Sequence, residues 1–339
     1  MIILSARGRN TDRRRPLATL LLLLLLLIGV TVSLLLGGKD TSPHQVLAYL
    51  TGGQADPYLQ AVIDTRVARI VMALLVGSGL AVAGVLIQAV THNPLADPGL
   101  LGITAGASAA VVTVGLLSGS LVLAHTLWAG SAGAIISTLI CYLVATRSTG
   151  SPVMTLLLTG AIISAIAVAY INIVILQFPF VFHHFRFWTV GSLAGRDLTF
   201  AAHIAPVIVS GLVISLLFHS AFDNLAFGDD IASSLGTNVM TTRAAGIILA
   251  ACLAGVATAA AGPISFIGLI TPHVVRALVG NNHGWLLPLS ALGGGTLVLY
   301  SDMLARIVVR PEEIMVGIVT ALLGAPLLLL AIRRTKAGV

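Results

Sequence analysis

The residues of this chain that could do chemistry are few and scattered. Of 339 residues, 18 are Lys or Arg, 12 are Asp or Glu, nine are His and two are Cys. The only lysines, Lys39 and Lys336, sit in no Gly-x-x-x-x-Gly-Lys-Ser/Thr loop, so the usual cradle for ATP phosphates is missing. No His-Glu-x-x-His helix offers zinc ligands, and no Gly-x-Ser-x-Gly turn presents a serine nucleophile. The histidines, including the His183-His184 pair, have no clear ligand partners and read as interfacial residues. Cys141 and Cys252 fall inside apolar runs and read as small packing residues rather than as a disulfide. No metal, cofactor or catalytic group is expected.

Two spacings stand out. Arg66 and Arg69 are three apart and share a helix face. Asp302 lies one helical turn before Arg306. It is the one acidic residue of twelve outside the expected loops and tails. An ionisable group inside a membrane marks function, so Asp302 is read either as a partner of Arg306 or as a proton relay. Little else in the chain could drive uphill transport. A pump built on it needs energy from a partner.

The elements that hold these residues follow from composition. Hydrophobic residues make up 57% of the chain and charged residues 9%, against about 25% charged in soluble domains. Several apolar runs reach the roughly 20 residues that cross a bilayer. The expected fold is all-α and polytopic, with about ten transmembrane helices, near 17–36, 66–90, 101–117, 123–145, 154–176, 201–219, 243–261, 263–280, 285–304 and 315–332. The leucine run 17–36 is too long for a signal core and lacks an Ala-x-Ala-like site after it, so it is read as an uncleaved span. A short helix is expected from Ser42 to Leu50, and an interfacial one within the aromatic stretch 177–200.

Arginines cluster at 7–15 and 333–334, and eleven of the eighteen basic residues fall on the inside of this scheme. The positive-inside rule then places both termini in the cytoplasm and makes the span number even. The expected organisation is a basic tail at 1–16, a membrane domain at 17–332 with its most polar inner segment at 220–238, and a second basic tail at 333–339. With the basic residues flanking spans, the bilayer is the expected partner and nucleic acid is not. Glycines such as Gly77, Gly84, Gly294 and Gly295 supply small faces for close helix packing.

The most specific signal begins at the second span. It runs Arg66-Val-Ala-Arg69, Gly77-Ser-Gly-Leu-Ala-Val-Ala-Gly84, Gln88, then Asn93-Pro-Leu-Ala-Asp-Pro-Gly99 and Leu-Gly102-Ile-Thr-Ala-Gly106. Further along come Trp188-Thr-Val-Gly-Ser-Leu-Ala-Gly195, Ala260-Ala-Gly-Pro-Ile-Ser-Phe-Ile-Gly-Leu-Ile-Thr-Pro-His273, and Gly317-Ile-Val-Thr-Ala-Leu-Leu-Gly-Ala-Pro326. In order and spacing this resembles the FecCD family, the permeases of bacterial ABC importers for iron–siderophores, haem and vitamin B12. The resemblance spans about residues 45–332.

It implies ten helices per subunit and a bacterial inner-membrane location. It implies a second permease subunit (the same or a sister chain), two cytoplasmic ATPase subunits and a periplasmic or lipid-anchored substrate-binding protein. An iron(III)–siderophore-type chelate is the implied cargo, with haem or cobalamin as alternatives. The rivals from other classes are an ion-coupled secondary transporter and an intramembrane enzyme.

Residue by residue, the resemblance makes Arg66, Arg69 and Arg306 outward charges that pair with glutamates of the binding protein. Exposed charges of this kind would steer a partner into register; snorkelling to headgroups is the bland alternative. Asn93 and Leu95 match a cytoplasmic gate, although Pro152-Val153 stands where a second gate segment has small hydroxyl residues. Asp223–Gly236 matches paired coupling helices. There Leu225, Phe227, Ile231 and Leu235 give an apolar face for the ATPase, Asp229 or Asp230 caps the second helix, and Gly236 ends it. Ser164 and Asn172 are candidates for pathway lining. Ser233 and Met315 depart from the family's usual basic residue and proline.

Overall fold

The computed structural model describes residues 3–37, 41–51, 56–119, 123–148, 151–310 and 312–336. Residues 1–2, 38–40 and 337–339, parts of the expected tails and first outer segment, lie outside the described residues. Fourteen helices follow in order: α1 (Ile3–Leu35), α2 (Pro43–Leu50), α3 (Pro57–Thr91), α4 (Ile103–Ser118), α5 (Leu123–Thr146), α6 (Pro152–Gln177), α7 (Pro179–Trp188), α8 (Leu198–Leu217), α9 (His219–Leu225), α10 (Asp229–Ser234), α11 (Val239–Ala261), α12 (Ile267–Val279), α13 (His283–Ile307) and α14 (Val316–Lys336). A single 3-10 turn, Pro98–Leu101, separates α3 from α4.

Six helices are long and apolar enough to cross a membrane, within α1, α3, α5, α6, α8 and α11. Helices α4, α12 and the first part of α14 are apolar but shorter, and α13 carries Asp302 and Arg306 along 25 residues. These ten helices coincide with the ten expected spans to within a few residues. The exceptions are two starts: α1 begins at Ile3 and α3 at Pro57, each well before the apolar run that announces it. Helices α1 and α14 run through the basic chain ends as far as the residues are described.

Local chemistry sets the boundaries. Ser42 and Gln45 form a reciprocal capping box at α2. Asp56, Asp197 and Asn238 cap α3, α8 and α11 through their side chains. Proline opens α2, α3, α6 and α7, where its missing N–H costs nothing.

Helix α3 is the centre of the bundle, buried almost continuously from Arg66 to Thr91, with α13, α11, α12 and α8 packed around it. Backbones touch here. A Cβ on Gly77 would overlap the carbonyl of Gly294, and one on Gly84 would overlap the carbonyl of Gly268. Small residues of this kind replace the hydrophobic drive that lipid cannot supply.

At 13 residues, α12 rises only about 20 Å, less than the roughly 30 Å of a hydrocarbon core. Pro263 to Phe266 precede it without helix, with Phe266 at φ 71° and packed on Gly324 of α14. Such backbone survives at membrane depth only when protein surrounds it. The end of the bundle where α1 begins and α14 finishes, which the charge pattern alone assigns to the cytoplasm, is called the inner end below.

Candidate functional site

At the outer end stand the three arginines. Their expected exposure is corrected by the structure: Arg66, Arg69 and Arg306 are 4%, 6% and 3% exposed. Because α3 starts at Pro57, Arg66 and Arg69 lie inside the helix rather than at its mouth. A buried charge must be paired, and each guanidinium is engaged. Arg69 donates to Asp302 at 2.8 Å and to Glu313 at 2.7 Å. Arg306 meets Asp302 at 3.0 Å and donates to Ser33 at 2.6 Å. Arg66 donates to the Leu34 carbonyl and to the Thr41 hydroxyl, holding the end of α1. Asp302 is fully buried between two arginines, so of its two readings the ion pair is the one realised.

At the inner end, α3 stops at His92, whose backbone is left-handed. The Asn93 Oδ1 accepts from the Leu95 N–H at 2.9 Å, and the Asn93 carbonyl accepts from Ala96. Asn93 is thus occupied in its own turn, while Leu95 presents a side chain 44% exposed. Asp97 caps the 3-10 turn by accepting from Gly99 at 2.8 Å. Burial pushes its carboxyl above the ordinary value, against the opposing pull of that N–H.

Helices α9 and α10 form the expected inner pair, with two changes. Leu225 is fully buried rather than presented, and Phe227, Ile231 and Leu235 are the exposed apolar set at 64%, 53% and 56%. Helix α9 lies flat on α3, α11 and α13, so its last turn faces the bundle and only α10 and its approach project outward. Gly228, not Asp229 or Asp230, occupies the cap position of α10 and makes no side-chain cap bond. Both aspartates sit in the first turn, favourable to the helix dipole, and Asp229 pairs with Arg243 at 2.9 Å. Gly236 ends α10 as expected: it takes φ 80°, and Thr237 donates back to the Ala232 carbonyl. Between α10, α11 and the junction of α5 with α6 lies a cavity of about 410 Å³, with Pro152, Val153, Arg243 and Asp229 in its wall.

Residues 24–334 match the FecCD transport family. The chain belongs to that family. It is 39% identical over 314 residues to the ferric enterobactin transport system permease protein FepD of Escherichia coli strain K12, covering 92% of this chain and 93% of the relative. It is 40% identical over 280 residues to the Fe(3+) dicitrate transport system permease protein FecD of the same strain, covering 82% and 87%. Among solved structures, an inward-facing ABC transporter of metal-chelate type superposes with a TM-score of 0.84 at 29% identity, covering 94% of this chain and 99% of the other.

In this FecCD chain the candidate pathway residues both lie on α6, Ser164 half-buried and Asn172 exposed. Exposed Leu158, Ile162, Ile166 and Ile173 share that helix with them. Among the described residues no group of three or more His, Cys, Asp or Glu could hold a metal ion. Sequence reasoning missed the polar chain that fastens the inner turn. Arg276 donates to the Gln88 Oε1 at 3.0 Å, and the Gln88 amide reaches the Gly268 carbonyl at 3.2 Å and the Ala96 carbonyl at 3.4 Å. Its one sequence signal was a glutamine inside an apolar span. Arg196 is a second residue of this kind. It donates to the Ala260 carbonyl at 2.9 Å, lies over Phe200, and is lowered by burial to about 10, still protonated at neutral pH.

Proposed function

We propose that this chain is the membrane-spanning permease subunit of an ATP-driven importer for a ferric chelate of the siderophore or citrate kind. It works in the bacterial inner membrane with a second permease subunit, two cytoplasmic ATPase subunits and a substrate-binding protein, both termini facing the cytoplasm. The family match over nearly the whole chain carries this reading, together with relatives named as ferric enterobactin and ferric dicitrate permeases.

The chemistry agrees. Among the described residues Asp302 is the one fully buried carboxylate, and two arginines neutralise it. That leaves no proton relay in the bundle core and argues against an ion-coupled carrier. The energy enters instead at the inner face, where Phe227, Ile231 and Leu235 project as an apolar patch for an ATPase groove. Asp229 and Asp230 stand at its edge. Leu95, beside Asn93 at the end of α3, serves as the inner gate, and α6 with Ser164 and Asn172 lines the path. At the outer end Arg66, Arg69 and Arg306 shape the binding-protein face from beneath, and the exposed Arg310 and Glu312 are the charges a partner would meet.

Reconstitution tests the reading. Vesicles holding the chain alone should accumulate no ferric chelate, and vesicles holding it with its ATPase and binding protein should do so only with ATP. Accumulation by the lone chain would refute the proposal.

A further inference from the structure

Helix α9 is fastened to the bundle at two points, by hydrogen bonds to two different helices. The Asp223 carboxylate of α9 accepts from the His283 backbone N–H at 2.7 Å and from its Nδ1 at 2.7 Å, and its second oxygen accepts from Asn282 at 3.2 Å. His283 opens α13, and Asn282 at the cap position makes no cap bond of its own. The cap of α13 is therefore supplied by another element. At the second point His92 Nε2 donates to the Leu225 carbonyl at 2.7 Å. His92 holds φ 50° at the end of α3, a conformation that costs a non-glycine residue.

The two helices so gripped are the two packed backbone to backbone at Gly77 and Gly294, with Gly295 against Leu74. At their outer ends they are joined again through Arg69, Asp302 and Arg306. From there Arg69 reaches Glu313, and the Ile314 N–H donates to the Ala305 carbonyl at 3.0 Å. One unbroken set of bonds and close contacts thus runs from α9 to the outer loop that carries Glu313.

We infer that α3 and α13 form a rigid strut between the inner helix pair and the outer loop, with Asp223 and His92 as the positioning residues that couple it to α9. The inference rests on the proposed importer function, since a partner at the inner face supplies the push. Close-packed helices do not absorb a displacement; they pass it on. A shift of α9 then moves the far loop without any change inside the strut. Coupling of this kind is claimed only where both sites bias one physical element, and here that element is the glycine-locked pair.

The test uses the chain assembled with its ATPase in lipid nanodiscs, in a Cys141→Ala, Cys252→Ala background with Glu312→Cys as an outer reporter. A non-hydrolysable ATP analogue should change the labelling rate by an impermeant maleimide. Asp223→Asn should shrink that change about fivefold or more while nucleotide affinity holds. His283→Gln, which keeps the backbone bond, should shrink it less. Should Asp223→Asn lose its fold, His92→Asn decides: it keeps a residue tolerant of the left-handed backbone but cannot reach Leu225. Full nucleotide response in either folded variant overturns the inference. So does a bound ATPase with no response at position 312 in the reporter background. Failure to bind any ATPase would instead sink the proposed function, and the strut with it.

Discussion

Asp302 shows what a single residue can carry. Its carboxylate pairs with two guanidiniums that are both buried, and Glu313 supplies the second negative charge. Removing one member of such a set leaves uncompensated charge, which costs about 3–5 kcal/mol. Asp302→Asn should therefore destabilise the purified chain in detergent by that order, read as a lower unfolding midpoint, and an unchanged midpoint would show that Glu313 and Ser33 suffice. Half of this site was legible beforehand. The four-residue spacing to Arg306 is local, so helix periodicity gives it. The bond to Arg69 joins positions 233 apart, and only the packing of α3 on α13 creates it. The same packing hid the arginines, which the family resemblance made outward charges.

At the scale of elements, α9 and α10 divide the work of one short segment. Phe227 is exposed, so Phe227→Asp should leave stability within about 0.5 kcal/mol yet abolish stimulation of the ATPase by substrate-loaded binding protein. Full stimulation would count against the inner patch. Asp223 makes a separate prediction. Burial raises its carboxyl, but the two bonds from His283 outweigh this and hold it below the ordinary carboxylate value. A depressed folded value means that its stabilisation is complete above the unfolded value and is lost as pH falls through the folded one. Thermal stability should thus decline on acidification through the carboxylate range, and Asp223→Asn should flatten that part of the decline. The apolar residues Leu225, Phe227, Ile231 and Leu235 read as one face. Their spacing could not say that the chain turns at Gly228, which sends Leu225 inward and the other three outward.

Across the whole molecule, the bundle is held by contact between backbones. Gly77→Ala would push α3 away from Gly294, and overpacking of this kind costs about 1–3 kcal/mol. Lower yield and an earlier melting transition should follow, and a normal melt would show that α13 can give way. Tags at the two ends should both be reached from the cytoplasmic side, and tags on opposite sides would refute the even count of spans. What the sequence determined by itself is the number, order and type of the long helices. Those depend on composition and on periodicity within short windows, which lipid as solvent makes severe. Tertiary structure alone decided which charges are buried, which face of α9 meets the core and which glycines touch. Each of those depends on residues far apart in the chain, brought together by close packing that no local pattern records.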